Sequence, residues 1–318
     1  MHTVDDERTA TAVVFPGMGP TRFPDVGRFL VTNPVARRLV AIADARLGYS
    51  LIDRFSEAEG DYSEYAQVGF LVSCLALAEW ARDELGVRAD VCAGPSFGGK
   101  PLTAFVGALP ADEAIWLTAR LARCMAEFFA TEHRDVVTVS VVRTPAERLA
   151  EVLADLGERG EWYDISCYLD DDFAMVSLRE RAVERFEAGV RRAGGLPLYA
   201  MRPPMHSAAF GALRRKAEDE VLGDLPFADP RTAVVADQDG SVVRTGEGIR
   251  AMLLDGIDQP MRWPTVLATL RRLSVGTVCV AGPDSLFGRV PATTRNFQVL
   301  AVNPRLALLP RRRNAVAG

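Results

Sequence analysis

Residues 88–99 read RADVCAGPSFGG, in which a short apolar segment runs directly into the pattern Gly-x-Ser-x-Gly centred on Ser96. The apolar segment predicts a buried strand, and residues 97–106 can form a helix, because Pro101 is tolerated in a first helical turn. A strand, a sharp glycine turn and a helix in this order are typical of a nucleophile elbow, whose helix N-terminus directs N–H groups at developing negative charge. We therefore interpret Ser96 as a candidate nucleophile, the alternative being a serine of an ordinary glycine-rich turn.

A nucleophilic serine needs a base, and this sequence has only three histidines. His2 stands at the terminus, and His133 lies in the polar stretch TEHRD, which predicts a solvated helix end. His206 follows an extended segment and has apolar neighbours in PPMHSAAF, so a buried structural histidine is the alternative to a catalytic base. Because neither of the other histidines is a good candidate, we predict that His206 activates Ser96.

A glycine turn, PGMGP at residues 16–20, follows the first strand-like segment, TAVVF. Such a turn can present an N–H group to a reaction centre. We predict that the backbone amides of Met18 and Phe97 form an oxyanion hole. An ordinary strand-to-helix turn is the alternative reading of PGMGP.

Chain length and composition favour one large α/β unit that carries a smaller insert. The 318 residues are 48% hydrophobic, and the net charge of −5 argues against nucleic acid as a partner. Three strand-like and two helix-like segments alternate across residues 134–198, which predicts a ferredoxin-like insert of the order β-α-β-α-β. Residues 1–133 and 199–318 then form the two parts of the large unit.

The cysteines and the first residues predict the compartment. The five cysteines are an odd number and no two are close in sequence, so neither a disulfide framework nor a metal pair is expected. Acidic residues at positions 5–7 argue against a signal peptide, and the most apolar run, Val68 to Ala78, is too short to span a bilayer. We expect a cytoplasmic protein with no membrane partner.

Together these elements resemble the superfamily of malonyl-CoA:acyl carrier protein transacylases and polyketide synthase acyltransferase domains. The first motif of that superfamily, FPGQGSQ, is similar to FPGMGPT at residues 15–21, and its nucleophile motif, GHSLGE, is similar to GPSFGG at 94–99. Its histidine segment, AFHS, is similar to PPMHS at 203–207, which places His206 110 residues after Ser96.

Two longer stretches extend the resemblance. AQVGFLVSCLALAEW at residues 66–80 is similar to AQPALFAVSYALAELW, and IDQPMRW at 257–263 is similar to a family stretch that ends in SPVRW. The similarity spans nearly the whole chain, and the set of motifs is more specific than any one of them. It implies an α/β fold in which an α/β-hydrolase-like large subdomain is interrupted by a ferredoxin-like small subdomain.

The resemblance also implies a ping-pong mechanism. Ser96 would take an acyl group from a thioester with His206 as general base, and would pass it to the phosphopantetheine thiol of an acyl carrier protein. A backbone carbonyl near Gly256, rather than an aspartate, would orient the histidine. The phosphopantetheine arm, or coenzyme A, enters as part of the substrate, and no bound cofactor or metal is expected.

One departure from the family pattern bears directly on the acyl group. Malonyl-type members carry an arginine 25 residues after the serine, whose guanidinium binds the malonyl carboxylate through two hydrogen bonds. That position is Leu121 here, and leucine cannot pair a carboxylate. Arg120 precedes it and points roughly 100° away on a helix, although a one-residue slip in the alignment would bring Arg120 into register.

Other departures predict a less polar pocket. Pro95 stands where the family has a histidine, Met18 stands where it has a glutamine, and PPMH is neither the malonyl nor the methylmalonyl signature. Such a pocket suits an acyl group without a free carboxylate, as in the discrete aminoacyl- or dipeptidyl-transferring enzymes of vicenistatin-type macrolactam polyketide pathways. The predicted pocket residues are Pro95, Arg120, Leu121, Pro204 and Met205.

The predicted partners are acyl carrier proteins, both a standalone one and the loading domain of a polyketide synthase. Because carrier proteins are acidic, an arginine-bearing rim is expected near the site. Three other functions stay open: a malonyl or other acyl-CoA transferase that uses Arg120, an α/β-hydrolase esterase, and a non-catalytic docking protein. Esterases usually carry their histidine near the C-terminus, which disfavours the second of these. The docking candidates are Arg202, Arg214, Arg215, Arg295 and the arginines of the C-terminal tail.

Overall fold

The structure is a computed structural model that describes residues 9–309. His2, the acidic residues at positions 5–7 and the tail arginines lie outside the described residues. The strands are β1 (Ala10–Val14), β2 (Val91–Ala93), β3 (Val136–Val142), β4 (Tyr163–Asp170), β5 (Phe173–Arg179), β6 (Leu196–Met201), β7 (Val234–Val235), β8 (Val242–Val243), β9 (Met261–Arg262), β10 (Val275–Ala281) and β11 (Gln298–Val302).

Helices connect these strands. They are α1 (Phe23–Thr32), α2 (Pro34–Leu47), α3 (Leu51–Glu57), α4 (Glu64–Leu85), α5 (Gly99–Phe105), α6 (Ala111–Thr131), α7 (Ala146–Glu158), α8 (Glu180–Arg192), α9 (Gly211–Ala217), α10 (Gly246–Asp258), α11 (Trp263–Arg272), α12 (Pro291–Thr294) and α13 (Pro304–Ala307). Two short 3-10 turns span Ser96–Gly98 and Ala208–Phe210, and a π-helical turn spans Glu218–Leu222.

The large sheet has the strand order β11-β10-β1-β2-β7-β8. Its first five strands are parallel, and β8 is antiparallel to β7. Neighbouring residues of β1 enter opposite cores: Val13 packs in one apolar cluster, whereas Ala12 and Val14 pack in another. Both faces of the sheet are therefore covered, which explains why its strands are continuous apolar runs.

The topology brings three loops to one edge of this sheet. The chain leaves β1 for β2 and β7 on one side, while β10 and β11 lie on the other side. In an open parallel sheet, the crevice at such a switch of direction, outside the carboxyl ends of the strands, is where ligands bind. The turns after β1, β2 and β7 all reach this edge, so residues 15–20, 94–98 and 236–238 lie near one another.

Helix α4 packs against this sheet and confirms the helix predicted over residues 66–85. Fifteen of its residues, between Ala66 and Ala81, are buried on nearly all sides of the helix, so its apolar run serves the core. None of the helices within residues 9–309 combines the length and the apolar character that a membrane crossing requires.

The small sheet has the order β6-β3-β5-β4-β9. Its first four strands and helices α7 and α8 form a β-α-β-β-α-β unit, which confirms the predicted ferredoxin-like class. The predicted order lacked one strand, β4, because its sequence YDISCYLD ends at Asp170, the first of three consecutive aspartates, and this stretch resembles a polar loop. The predicted boundary between residues 198 and 199 falls inside β6. Strand β9, from the large subdomain, joins β4 in parallel and ties the two subdomains together.

Candidate active site

Ser96 occupies the sharp turn that the sequence predicted. Strand β2 ends at Ala93, and Ser96 begins the 3-10 turn that leads into α5. The backbone of Ser96 has φ of +54°, in the left-handed region that residues other than glycine rarely adopt. A strained serine between a strand and a helix is the local geometry of a nucleophile elbow.

Close backbone contacts explain both glycines of the motif. A Cβ atom on Gly98 would lie 1.9 Å from the carbonyl oxygen of Phe15, at the end of β1. A Cβ atom on Gly94 would lie 2.5 Å from the carbonyl carbon of Gly98. Only residues without a side chain allow the turn to fold on itself and to rest against the first strand.

His206 faces the serine from another segment. It lies on the connection between β6 and the turn Ala208–Phe210, and its backbone N–H donates to the carbonyl oxygen of Ile257 at 3.0 Å. Its Nε2 atom lies 2.8 Å from Oγ of Ser96. When the imidazole is neutral with its proton on Nδ1, Nε2 can accept the serine proton.

Burial keeps His206 neutral. The side chain is 5% exposed, and burial lowers its pKa from 6.5 to about 4, with the charge of Lys100 acting in the same direction. Backbone groups of Gly256 and Gln259, at the C-terminus of α10, oppose this shift because a helix C-terminus favours a cation. Nδ1 makes no hydrogen bond of good geometry to any residue between 9 and 309, so orientation by the Gly256 carbonyl stays a prediction.

Asp237 accepts a hydrogen bond from the backbone of the nucleophile, and the sequence pattern did not predict this residue. The backbone N–H of Ser96 donates to Oδ2 of Asp237 at 2.6 Å. The carboxyl group is 4% exposed, and burial raises its pKa from 3.8 to about 6, against the lowering effect of this hydrogen bond. Its position after β7 was the available signal, because carboxyl ends of neighbouring parallel strands converge on one edge.

We expect Asp237→Ala to destabilise the protein by about 2–3 kcal/mol, because the inward-facing N–H of Ser96 loses a charged acceptor. Asp237→Asn keeps an acceptor oxygen and should lose less. Urea unfolding of both variants measures the difference. Asp239→Ala is the matched control, since Asp239 also accepts one backbone N–H, from Ser241, but in an exposed turn. Equal stability of the Asp237 and Asp239 alanine variants would contradict the anchoring role.

Ser96 and His206 open onto a cavity whose lining is mainly apolar. Five methionines contribute to it, and so do leucines of α6 and residues of α10. Long unbranched thioethers adapt to ligands of irregular shape. The apolar lining residues are Met18, Phe97, Leu117, Leu121, Met125, Met201, Pro203, Met205, Leu222, Met252, Leu253 and Ile257.

The structure brings only part of the predicted pocket to this cavity. Leu121 and Met205 line it. Pro95 does not, because it is buried within the turn, where its carbonyl accepts from the N–H of Gly98. Pro204 instead lines a surface depression beside His133, and Arg120 lies off the cavity because α6 presents Leu117, Leu121 and Met125 to it. Met18 and Phe97 also line the cavity. That their backbone amides form an oxyanion hole stays a prediction.

Lys100 is a second feature that the sequence analysis did not single out. It is the only lysine or arginine among the described residues that line the cavity. It is 8% exposed, and burial lowers the pKa of its ammonium from 10.5 to about 7. The available signal was its place four residues after Ser96, within the helix predicted to follow the nucleophile turn.

The predicted docking arginines fall into two groups. Arg202 and Arg214 are engaged within the chain: Arg202 pairs with Glu180 and donates to backbone carbonyls, and Arg214 bridges two aspartates of α10. Arg215 and Arg295 are exposed and have no ion pair within residues 9–309. Engagement within the chain leaves Arg214 poorly suited to a partner.

Comparison with known proteins identifies the architecture. Residues 140–201 match a family described as the VinK acyltransferase small domain. No curated protein matches the chain. FabD from Acinetobacter baumannii is 18% identical with a TM-score of 0.81, over 92% of this chain and 93% of that chain.

Two further solved structures are similar to this chain to about the same degree. A malonyl-transacylase in complex with its type II polyketide synthase acyl carrier protein is 21% identical with a TM-score of 0.82, over 94% of this chain and 99% of that chain. An acyl carrier protein S-malonyltransferase from Vibrio cholerae is 22% identical with a TM-score of 0.79, over 93% and 97%. The chain therefore has the two-subdomain α/β fold that these carrier-protein transacylases share, over nearly its whole length.

Proposed function

We propose that this protein is an acyltransferase that moves an acyl group without a free carboxylate between acyl carrier proteins. The observation that carries the proposal is the 2.8 Å contact between Oγ of Ser96 and Nε2 of His206 beside a mainly apolar cavity. A serine, a neutral buried histidine and an adjacent binding cavity are the parts that nucleophilic acyl transfer needs.

In the first half-reaction, Oγ of Ser96 attacks the carbonyl carbon of a thioester while Nε2 of His206 takes the hydroxyl proton. Negative charge develops on the carbonyl oxygen, where the backbone amides of Met18 and Phe97 would stabilise it. The carbon–sulfur bond then breaks, and the imidazolium returns the proton to the leaving thiolate. The products are an ester on Ser96 and a free thiol.

The second half-reaction reverses these roles. The thiol of an acceptor phosphopantetheine gives its proton to His206 and attacks the ester carbonyl. The carbon–oxygen bond breaks, and the proton returns to Oγ of Ser96. One histidine thus serves both steps, as microscopic reversibility requires. Phosphopantetheine belongs to the carrier protein or to coenzyme A, so it is a substrate arm and not a resident cofactor.

The cavity lining supports an acyl group without a free carboxylate. A carboxylate in an apolar cavity needs a paired donor fork, and Leu121 stands on the face of α6 where such a fork would reach the cavity. The similarity of residues 140–201 to the VinK acyltransferase small domain supports acyl transfer. The finer proposal, a discrete enzyme of macrolactam polyketide biosynthesis that moves aminoacyl or dipeptidyl groups, rests on the departures of the sequence from the malonyl-type pattern.

Malonyl transfer is the second candidate, because similar solved structures include malonyl-transacylases. It would require a cation that faces the carboxylate. The arginine considered for this role, Arg120, does not line the cavity, and the described lining residues supply a single cationic side chain, Lys100, in place of a guanidinium that could bind both carboxylate oxygens.

Mass spectrometry of the acylated protein tests the proposal. We expect carrier-bound dipeptidyl and β-alanyl groups to add their mass to Ser96, and malonyl thioesters to add at least about tenfold less in the same time. Ser96→Ala should add no mass with any donor. Rapid malonylation combined with no mass from the aminoacyl and dipeptidyl donors would overturn the assignment in favour of malonyl transfer.

A further inference from the structure

The ammonium group of Lys100 is held by two groups of the cavity wall. Nζ lies 3.3 Å from Oε1 of Gln67 and 4.2 Å from the ring centroid of Phe97. Gln67 and Phe97 both line the cavity, and Gln67 is fixed in turn by a hydrogen bond from its Nε2 to the carbonyl of Tyr62. Lys100 therefore has a defined position in the cavity wall.

This ammonium group is incompletely satisfied. It carries three N–H donors, of which the Gln67 amide accepts one and the Phe97 ring faces another. Across residues 9–309, no carboxylate lies within ion-pair distance of Nζ, and no other hydrogen bond engages it. Burial without a counter-ion is costly for an ammonium group, so an acceptor supplied by a ligand would be strongly favoured.

Lys100 lines the same cavity as Ser96 and His206. The ring that its Nζ faces belongs to Phe97, the residue directly after Ser96. The charge of Lys100 is close enough to His206 to lower the pKa of the imidazole. An acyl chain bound to Ser96 in this cavity therefore passes near Nζ.

Resting on the proposed function, we propose that Lys100 selects the acyl group by donating a hydrogen bond from Nζ to a neutral carbonyl oxygen within the acyl chain. A dipeptidyl group offers such an oxygen at its internal amide. A plain alkyl chain would leave the donor unpaired.

A neutral carbonyl suits this position better than a carboxylate does. A carboxylate has two oxygens and about four lone-pair positions to satisfy, and Lys100 is the only lysine or arginine that the described residues bring to the cavity. The rest of the lining is mainly apolar, and its other free donor is the buried hydroxyl of Tyr62, which has no hydrogen-bond partner among residues 9–309. A neutral carbonyl needs only one donor, which Lys100 can supply.

Three thioesters whose acyl groups have five non-hydrogen atoms in line separate these classes: pentanoyl, 4-oxopentanoyl and succinyl pantetheine. Acylation of Ser96 is followed by mass in the wild-type protein, in Lys100→Met and in Lys216→Met. Lys216 is the only other lysine of the sequence and pairs with Glu220 on the surface, so it is a matched control. We expect kcat/KM for 4-oxopentanoyl to exceed that for pentanoyl by about tenfold in the wild type and in Lys216→Met. The ratio should fall to near one in Lys100→Met.

An unchanged ratio in Lys100→Met would overturn the proposal. If the wild type prefers the succinyl thioester and Lys100→Met loses that preference, the choice of a neutral carbonyl is overturned. Failure of all three thioesters to acylate Ser96 would count against the proposed acyl transfer itself.

Binding provides a readout that does not depend on transfer. The non-reactive Ser96→Ala protein and its Ser96→Ala, Lys100→Met derivative are titrated with the same thioesters by calorimetry. The 4-oxopentanoyl thioester should bind about tenfold more tightly than the pentanoyl thioester in the first protein. The two dissociation constants should be nearly equal in the second. Equal ratios in both proteins would overturn the role of Lys100 even if transfer fails.

Discussion

Replacing His206 with alanine is expected to slow acylation of Ser96 by about 10²–10⁴-fold, because the hydroxyl loses the base that accepts its proton. The 2.8 Å approach of Nε2 to Oγ is the geometry on which this expectation rests. Stopped-flow or quenched mass measurements of the acyl-enzyme give the rate. His133→Ala is the matched control, since it removes an imidazole that packs on Phe128 and Phe210, outside the cavity lining.

The pH profile adds a sharper expectation. Burial lowers the pKa of His206 from 6.5 to about 4, so the basic imidazole is present well below neutral pH. The acylation rate should therefore lose its His206-dependent part only as the pH falls through about 4, whereas a solvated histidine would lose half near 6.5. Two results together would contradict the assignment of the base: a wild-type rate that halves near pH 6.5, and a loss of rate in His133→Ala as large as the loss in His206→Ala.

The same shift has a consequence for stability. A base whose pKa is lower in the folded state contributes stability that is present above the unfolded pKa and is lost as the pH falls through the folded one. For His206 this window lies between about pH 6.5 and 4, and a shift of this size corresponds to roughly 3 kcal/mol. Acid unfolding should therefore be less steep in His206→Ala than in the wild type over that window.

The second large effect is expected at Gly98. We expect Gly98→Ala to lower the free energy of unfolding by about 3–5 kcal/mol and to impair acylation, because the new Cβ would lie 1.9 Å from the carbonyl oxygen of Phe15. The atom that it meets belongs to the backbone directly after the central strand β1, so a side-chain rotation cannot relieve the clash. Urea unfolding followed by circular dichroism measures the loss, and a loss of soluble protein is the extreme form of the same result.

Gly99→Ala is a close control for this experiment. Both glycines have right-handed helical backbone angles, with φ of −57° and −56°, so alanine causes no backbone strain at either position. At Gly99 the new Cβ would meet the end of the flexible Leu253 side chain at 3.1 Å. Gly99→Ala should therefore be near neutral or slightly stabilising. Similar stabilities of the two alanine variants would show that the turn moves away from Phe15 freely.

Local pattern predicted the nucleophile turn, because the turn needs glycines where the backbone folds on itself and those glycines stand beside Ser96. The scarcity of histidine then left His206 as the partner, and the structure brings the two side chains together. The ferredoxin-like unit was predicted from alternating strand-like and helix-like segments. Its strand β4 was missed because the aspartates in and after it resemble a loop until β5 and β9 pair with it.

The rest of the site depends on contacts between distant segments. Asp237 has no local motif, and its role follows only from the parallel pairing of β2 with β7. Lys100 has the composition of a solvated helix residue, and its burial follows from Gln67 of α4 and from Phe97 packing around it. Pro95 and Pro204 were predicted in the pocket because they stand next to Ser96 and Met205 in the sequence. In the structure neither proline lines the cavity.

The pairing of β1 with β10 bears on how the chain folds during synthesis. Ala10 lies opposite Val275, so the strand that ends beside the nucleophile turn receives its second neighbour only after most of the chain has left the ribosome. Contacts so far apart in sequence form slowly, and the apolar strand stays open to wrong partners in the meantime. The small subdomain, made of segments from Val136 to Met201, can pair its own strands earlier. The inserted unit can therefore complete its own strand pairing before the sheet that carries it is complete.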